Sequence, residues 1–312
     1  MIISASRRTD IPAYYADWLV KRVQQGFVYV RNPMNARQIS KVSLSPDVVD
    51  AFVFWTKNPE PMLDKLDALR DSMYYFQFTL NSYGADVERG VPNKGKVIVP
   101  AFQRLADAIG PDRVIWRYDP IFLSQTYTMD YHIRYFEELA KKLSPYTRRC
   151  TFSFIDFYRN AQKNIAALGP IEFTPEKQEH MAKNIAGIAH SYGLRVDTCA
   201  ENIDLDKYGI EHARCIDDRL LGKLLGFPLS LKKDRNQRKA CGCVESVDIG
   251  AYNTCRSGCR YCYASFNEGA IGANNAMHNP DSPLLIGEVG PEDRITERRM
   301  ISCGTHQLHL DI

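Results

Sequence analysis

The sequence predicts an α/β fold, a TIM-like full or partial (β/α) barrel. Short, nearly continuous apolar segments rich in β-branched and aromatic residues alternate with amphipathic helical patterns. Strands that are covered on both faces have this composition, and repeated β-then-α units imply a parallel sheet with right-handed crossovers. Six or more such units favour a barrel. A doubly wound open sheet is the alternative, but no G-x-G-x-x-G follows a predicted strand.

The elements follow in order along the chain. We expect strands at residues 2–6, 51–55, 74–80, 113–118, 151–155 and 194–198. Helical periodicity separates them, for example at Trp18, Leu19 and Val23. The last of these helices is predicted to begin at Thr174 as N-cap with Pro175 in the first position. Residues 27–30 and 38–44 are typical of an inserted β-hairpin.

Polar side chains follow nearly every predicted strand. In a barrel these strand ends converge on the C-terminal mouth, where active sites form. The pattern therefore predicts a polar pocket, although turns are commonly polar in any case. The first strand is followed by Arg7, Arg8, Thr9 and Asp10, and the candidate substrate-pocket residues after the others are Lys57, Asn58, Asn81, Arg117, Asp119, Asp156 and Glu201.

Composition limits the classes of protein that this chain can represent. A net charge of +3 over 312 residues neither requires nor excludes nucleic acid as a partner. No apolar run is long enough to span a bilayer, and no signal segment is recognisable, so we expect a cytoplasmic protein without a membrane partner. Eight of the nine cysteines lie in the second half of the chain. In a reducing compartment this clustering indicates metal or redox chemistry.

Three of these cysteines form a compact motif. Cys255, Cys259 and Cys262 have the spacing C-x3-C-x2-C, so three thiolates on one loop can hold three irons of a [4Fe–4S] cluster. The fourth iron then remains open to a small molecule. Gly258 helps the loop wrap because glycine adopts positive φ. Two alternatives remain: chance clustering, or zinc with Cys241, Cys243 or His278 as the fourth ligand.

The other cysteines allow a second metal centre. Cys199, Cys215, Cys241 and Cys243 could hold a second iron–sulfur cluster, and zinc is the direct competitor. Cys199 could instead pack in the core as a small apolar residue. Other candidates are weaker: His306 and His309 in a polar tail, and the basic stretch 232–239, which could contact phosphate, form a solvated face or border the pocket.

The cysteine motif, with Tyr261 before its last cysteine, resembles the cluster loop of the radical SAM superfamily. The whole chain resembles the DUF1848 family through SASRRTDIPAYY, FWTKNP, RYDPI, SFIDFY, KDRNQR and CGCVESVDIGAYNTCRSGCRYCYA. The first resemblance implies a (β/α) barrel whose open iron binds S-adenosylmethionine, with Tyr261 near the adenine. It also implies an external electron donor of the flavodoxin or ferredoxin type.

The position of the motif departs from the superfamily, whose loop follows the first strand near the N-terminus. A circular permutation explains the difference: residues 246–251 form the usual first strand and residues 2–6 the second. Residues 1–240 are then the barrel body, completed by the cysteine-rich segment 241–312. The usual Gly-Gly-Glu is absent. Arg7 or Arg8 could instead pair with the carboxylate of S-adenosylmethionine, and Thr9 or Asp10 could accept from its amine; a surface role for both arginines is the alternative.

The sequence thus favours a radical SAM enzyme that generates a 5′-deoxyadenosyl radical and acts on an unknown substrate. It identifies no catalytic side chain on the protein. Nucleic acid is possible as a substrate, but the sequence gives it no independent support. The alternative is a non-catalytic protein in which iron–sulfur or zinc stabilises a cysteine-rich lobe.

Overall fold

A parallel sheet of eight strands organises the chain, as a computed structural model that describes residues 1–304 shows. The strand order is β10-β1-β4-β5-β6-β7-β8-β9, and every neighbouring pair is parallel. This is an α/β fold, consistent with a partial barrel. The strands are β1 (Ile2–Ala5), β4 (Ala51–Thr56), β5 (Met73–Thr79), β6 (Val114–Ile121), β7 (Arg149–Phe154), β8 (Arg195–Thr198), β9 (Ile210–His212) and β10 (Val247–Asp248).

All six predicted strands belong to this sheet, and the expected pairing of the chain's first strand is confirmed. β1 lies between β4 and β10, with Ile3 opposite Val247 and Ser4 opposite Asp248. The first residues of the chain therefore lie beside residues that come about 240 positions later. β9 was not predicted, because three residues with a single apolar side chain give no recognisable periodicity.

Most helices cover one face of the sheet, while the helix that carries Leu221 packs against the other face. The helices are α1 (Ile11–Tyr14), α2 (Ala16–Gln25), α3 (Glu60–Leu63), α4 (Val99–Ile109), α5 (Met129–Leu143), α6 (Gln162–Ala166), α7 (Pro175–Ser191), α8 (Asp218–Leu225) and α9 (Glu268–Ala276). Thr174 caps α7 as expected, accepting from the Lys177 amide. A 3₁₀ turn, Leu66–Leu69, follows α3. Its backbone bonds span three residues, as from Ala68 N to Lys65 O.

The two faces of the sheet bury different side chains. The helical side holds the main core, in which Phe52, Phe76 and Trp116 are fully buried. Side chains that alternate with these, such as Val53 and Ile115, point the other way and pack against residues between Cys199 and Val244. Because successive residues of a strand face opposite sides, each strand contributes to both layers. The segment from Cys199 to Val244 thus covers the inner face of the sheet.

A second sheet of three strands lies at the side. The predicted hairpin is confirmed as antiparallel β2 (Phe27–Asn32) and β3 (Asn35–Ser43). The third strand, β11 (Arg294–Glu297), pairs parallel to β3. It was not predicted, because its side chains are all exposed and its composition is polar.

Backbone contacts link the two edges of the large sheet. The Val244 amide, just before β10, donates to the Ile216 carbonyl, which follows β9 (3.2 Å). The Ile216 amide in turn donates to Cys243 Sγ at 3.4 Å. The segments around Cys215 and Cys243 therefore bridge the space between the edge strands. Within residues 1–304, no helix is long and apolar enough to cross a membrane.

Gly250 provides a test of the contact between β1 and β10. A Cβ at this position would lie 2.1 Å from Ser6 Oγ and 2.6 Å from Ser6 Cβ. We expect Gly250→Ala to lower the free energy of unfolding by about 2 kcal/mol because the close approach forces the strand ends apart. Gly187→Ala is the matched control: this helical glycine has open space around it, and the change should stabilise by about 0.5–1 kcal/mol. Urea unfolding distinguishes them, and equal effects would contradict the packing described.

His132 is expected to make the stability of the fold depend on pH. Its Nε2 donates to the Phe122 carbonyl and its Nδ1 accepts from Tyr118 Oη, and burial lowers the pKa of the ring to about 4. The unfolded chain binds this proton below about 6.5, so this ring contributes stability that is fully present above pH 6.5 and is lost towards pH 4. The loss amounts to about 3 kcal/mol.

His132→Gln keeps a donor for the Phe122 carbonyl but removes the titration. The unfolding free energy of the variant, measured by urea titration at a series of pH values, should therefore fall less steeply below pH 6.5 than that of the unmodified chain. Identical slopes would contradict this prediction, because they would show that the ring binds its proton as readily in the folded chain as in the unfolded chain.

Candidate functional site

One cavity at the carboxyl ends of the strands collects most of the predicted site residues. Its volume is about 560 Å³, and strand ends and loops from both edges of the sheet line it. All seven cysteines that the sequence singles out contribute to its wall: Cys199, Cys215, Cys241, Cys243, Cys255, Cys259 and Cys262. The fold therefore brings two sequence-separated cysteine groups into one chamber.

The loop that carries the C-x3-C-x2-C motif is held by a neighbouring loop. The Gly90 amide donates to the Ser257 carbonyl (2.8 Å), and the Arg260 amide donates to the Val87 carbonyl (3.0 Å). Gly258 has φ +62°, the left-handed conformation expected there, and packs against Arg89 and Gly90. This backbone clamp fixes the positions from which the three cysteines point into the cavity.

Of the three thiols of this loop, Cys259 is buried and Cys255 and Cys262 are half-buried. Burial raises the pKa of Cys255 to about 12, and burial also raises the pKa of Cys259 and Cys262. Proximity of Cys262 adds to the shift at Cys255 and at Cys259. Because desolvation penalises the thiolate form, a cationic centre is what would favour three ionised thiols here.

A buried network of charges lies behind the motif. Glu88 forms ion pairs with Lys57 (2.8 Å) and Lys94 (2.5 Å), and it accepts from Tyr261 Oη. Burial opposes ionisation of Glu88, but the two ammonium groups outweigh it and lower its pKa to about 2. Asn81 also donates to this carboxylate. The network fixes Tyr261 through its hydroxyl, so that the ring forms part of the cavity wall.

The residues after β1 lie beside the motif, as the predicted strand pairing requires. Tyr263 Oη donates to the Arg7 carbonyl (2.9 Å). Asp10 is already occupied: its carboxylate accepts from the amides of Ala13 and Lys57. By contrast, Thr9 Oγ1 is buried without a hydrogen-bond partner in the described structure, and Thr9 lines the cavity. An orphaned buried hydroxyl of this kind is available to a bound ligand.

The two arginines of this segment face different partners. Arg7 reaches Asp234 (3.4 Å) and Ser246 Oγ (3.3 Å). Arg8 donates to the Gly250 carbonyl (3.4 Å) and lies over the Tyr252 ring. Both line the cavity and neither is on the open surface, so the surface role considered for them does not describe their positions.

The other four thiols also meet. Cys199 Sγ lies 3.2 Å from Cys215 Sγ, and Cys215 and Cys241 each interact with Cys243. The Arg117 guanidinium donates to Cys215 Sγ (2.9 Å), while Tyr75 Oη and Gln77 Nε2 donate to the Cys215 carbonyl. Side chains of the inner face thus orient this group of thiols.

The predicted substrate-pocket residues divide into two sets. Four of them line the cavity: Lys57, Arg117, Asp119 and Asp156. The other three do not form its wall. Asn58 accepts from the Glu60 amide at the start of α3, Asn81 lies behind Tyr261, and Glu201 accepts from the Phe154 amide. These three side chains are occupied in shaping the loops, which strand-end position alone does not distinguish from lining a pocket.

Sequence reasoning missed Asp248 and Glu88, the two carboxylates that hold the site together. Asp248 accepts from Ser4 Oγ, Ser6 Oγ and the Arg7 amide. The sequence could have indicated Asp248, because a carboxylate between the apolar residues Val247 and Ile249, just before the motif, is unusual. Glu88 lies in a loop with no strand before it, and no sequence pattern marks it.

The arrangement of donors was compared with that of a metal site. Within residues 1–304, no three His, Cys, Asp or Glu side chains are grouped closely enough to count as one. His278, the alternative zinc ligand, lies outside the cavity and bonds to the Leu285 carbonyl (2.8 Å). The cavity wall holds seven thiols and four carboxylates, those of Asp10, Asp119, Asp156 and Asp248. Thiolate ligands suit iron–sulfur clusters or zinc.

Comparison with known proteins gives a family but no activity. No curated protein matches the chain. A family model described as a domain of unknown function, DUF1848, matches residues 2–264, which include β1, β10 and the complete cysteine motif. The chain therefore belongs to the DUF1848 family.

Proposed function

We propose that this chain is a radical SAM enzyme whose [4Fe–4S] cluster is held by Cys255, Cys259 and Cys262. One observation carries the proposal: the three thiols of the C-x3-C-x2-C loop line the same cavity as the polar end of β1. A loop with three thiolates leaves one iron without a protein ligand. The Thr9 hydroxyl, buried and unpartnered, lies on the wall where a ligand of that iron would bind.

A [4Fe–4S] cluster held by Cys255, Cys259 and Cys262 would supply the electron for reductive cleavage of S-adenosylmethionine, the chemistry that yields a 5′-deoxyadenosyl radical for hydrogen abstraction. The protein's own residues bind S-adenosylmethionine and shield it from water. Arg7 or Arg8 pairs with the methionyl carboxylate, and Thr9 accepts from the amine in place of the occupied Asp10. Tyr261, fixed by Glu88 and Lys57, offers its ring to the adenine.

The fold suits a circularly permuted radical SAM barrel. In this proposal β10 takes the place of the superfamily's first strand and β1 that of the second, so the segment that begins at residue 241 completes a body formed by residues 1–240. The parallel pairing of β1 with β10 supports the proposal. The protein would work in the cytoplasm, reduced by a donor of the flavodoxin or ferredoxin type.

The second group of thiols is proposed to hold an auxiliary cluster. Cys199, Cys215, Cys241 and Cys243 provide four sulfur ligands, the number that closes an iron–sulfur centre. Arg117 supports this use, because a guanidinium that donates to Cys215 Sγ offsets the charge of a thiolate centre. Zinc would use the same ligands, and metal analysis distinguishes the two.

The first test of this function removes the motif. We expect Cys255→Ala/Cys259→Ala/Cys262→Ala, purified without oxygen, to lose about four irons per chain and all reductive cleavage of S-adenosylmethionine, since an open-iron cluster can no longer form. Cys303→Ala is the matched control, because Cys303 lies outside the cavity. Zinc in place of iron in the unmodified chain, or unchanged cleavage in the triple variant, would refute the proposal.

The second test addresses the auxiliary group. Cys241→Ala/Cys243→Ala should lower the iron content by about four per chain while the low-potential electron paramagnetic resonance signal of the first cluster persists. Cys150→Ala, a fully buried core thiol on β7, serves as control and should leave the iron content unchanged. An unaltered iron content in the double variant would exclude a second cluster.

A further inference from the structure

Two loop segments form one side of the cavity mouth. Residues 156–163 follow β7, and residues 232–239 precede β10. Arg238 forms an ion pair with Asp156 and so joins the two segments, and both segments contribute to the cavity wall. We call them together the basic rim. Any substrate that reaches the thiol-lined chamber from this side must pass it.

The basic rim is strongly cationic. The two segments carry seven cations, Lys232, Lys233, Arg235, Arg238, Lys239, Arg159 and Lys163, and two carboxylates, Asp156 and Asp234, for a net charge of +5. The entire chain has only +3. Asp156 is paired with Arg238, and the buried Asp234 is paired with Arg7. The exposed charge at the mouth is therefore almost wholly positive, which attracts polyanions.

Aromatic rings are exposed at the same mouth. Phe157 is 57% exposed, Tyr252 39% and Tyr263 37%. The Tyr263 ring lies against the Tyr158 ring, tilted by 37° with the centroids 5.0 Å apart, and both rings line the cavity. Single exposed apolar side chains are common, but several that lie close together can mark a binding site. Cations that alternate with exposed rings suit a ligand with both phosphates and flat bases.

We infer that the basic rim binds single-stranded nucleic acid and presents one nucleotide to the cavity. This inference rests on the proposed function, since it names the substrate class of the same site. Phosphates meet the cations of residues 232–239, and unstacked bases meet Phe157 and the Tyr158–Tyr263 pair. A single strand is favoured over a duplex because the rings need an open base face. An acidic protein could form ion pairs with the cations, but it would not offer flat bases to stack on the rings.

The test measures binding of fluorescein-labelled single-stranded DNA and RNA oligonucleotides to the anaerobically purified full chain, by fluorescence anisotropy over a salt series. Lys232→Gln/Arg235→Gln/Lys239→Gln should weaken binding at low salt at least about tenfold and lower the slope of log affinity against log salt by about 2. Lys141→Gln/Lys142→Gln/Lys183→Gln, on the exposed surface of α5 and α7, is the matched control and should change neither quantity.

A second pair of variants measures the contribution of the aromatic rings to binding. Phe157→Ala should weaken binding about tenfold with an unchanged salt slope, because stacking involves no counterion release. Tyr135→Ala, an exposed ring on α5, should have no effect. Binding of polyglutamate as tight as that of the oligonucleotides, or rim and control variants that behave alike, would overturn the inference.

Iron content and cleavage of S-adenosylmethionine are measured on the same preparations. Cleavage without rim-dependent binding would overturn the nucleic-acid inference and leave the proposed function intact. Rim-dependent binding in a chain that neither holds iron nor cleaves S-adenosylmethionine would overturn the proposed function and leave the rim as a nucleic-acid surface.

Discussion

The contact on which the site depends is that between Asp248 and the end of β1. This one carboxylate accepts from Ser4 Oγ and Ser6 Oγ at 2.7 Å, and from the Arg7 and Gly250 amides. Charge-assisted bonds of this kind are stronger than neutral ones, and here they join segments that only a two-residue strand pairs. Together with the bond from Tyr263 Oη to the Arg7 carbonyl, they set the position of the polar end of β1 relative to the cysteine loop.

Electrostatic balance explains why seven thiols can share one chamber. Lys57 and Arg117 reach it from strand ends, and each is matched by a carboxylate, Glu88 or Asp119. Burial opposes ionisation of Arg117, but Asp119 and Cys215 outweigh it and raise its pKa above its usual value. The walls therefore carry fixed cations close to the sulfur atoms, arranged before any ligand binds. Such preorganisation is what a site needs if it is to hold anionic sulfur ligands away from water.

The sequence was sufficient to predict the strands and the cysteine loop, but not which polar side chains line the cavity. Apolar runs predicted the strands because a buried parallel strand must be apolar on both faces, and the spacing of Cys255, Cys259 and Cys262 marked the loop directly. Strand-end position could not distinguish Arg117, which lines the cavity, from Asn58, whose side chain accepts from the Glu60 amide in the turn before α3. Glu88 and β9 were not predicted because their roles arise from tertiary contacts between segments that carry no local sequence pattern.

The position of β10 has a consequence for how the protein matures. Arg7 and its partner Asp248 are 241 positions apart, so during synthesis β1 exists long before the strand that completes its outer edge. Until then β1 presents an unpaired edge, and the chamber lacks its cysteine loop. Closure of the sheet and completion of the thiol set are the same late event. A chain that ended before β10 would leave the outer edge of β1 unpaired and would lack all three cysteines of the C-x3-C-x2-C loop.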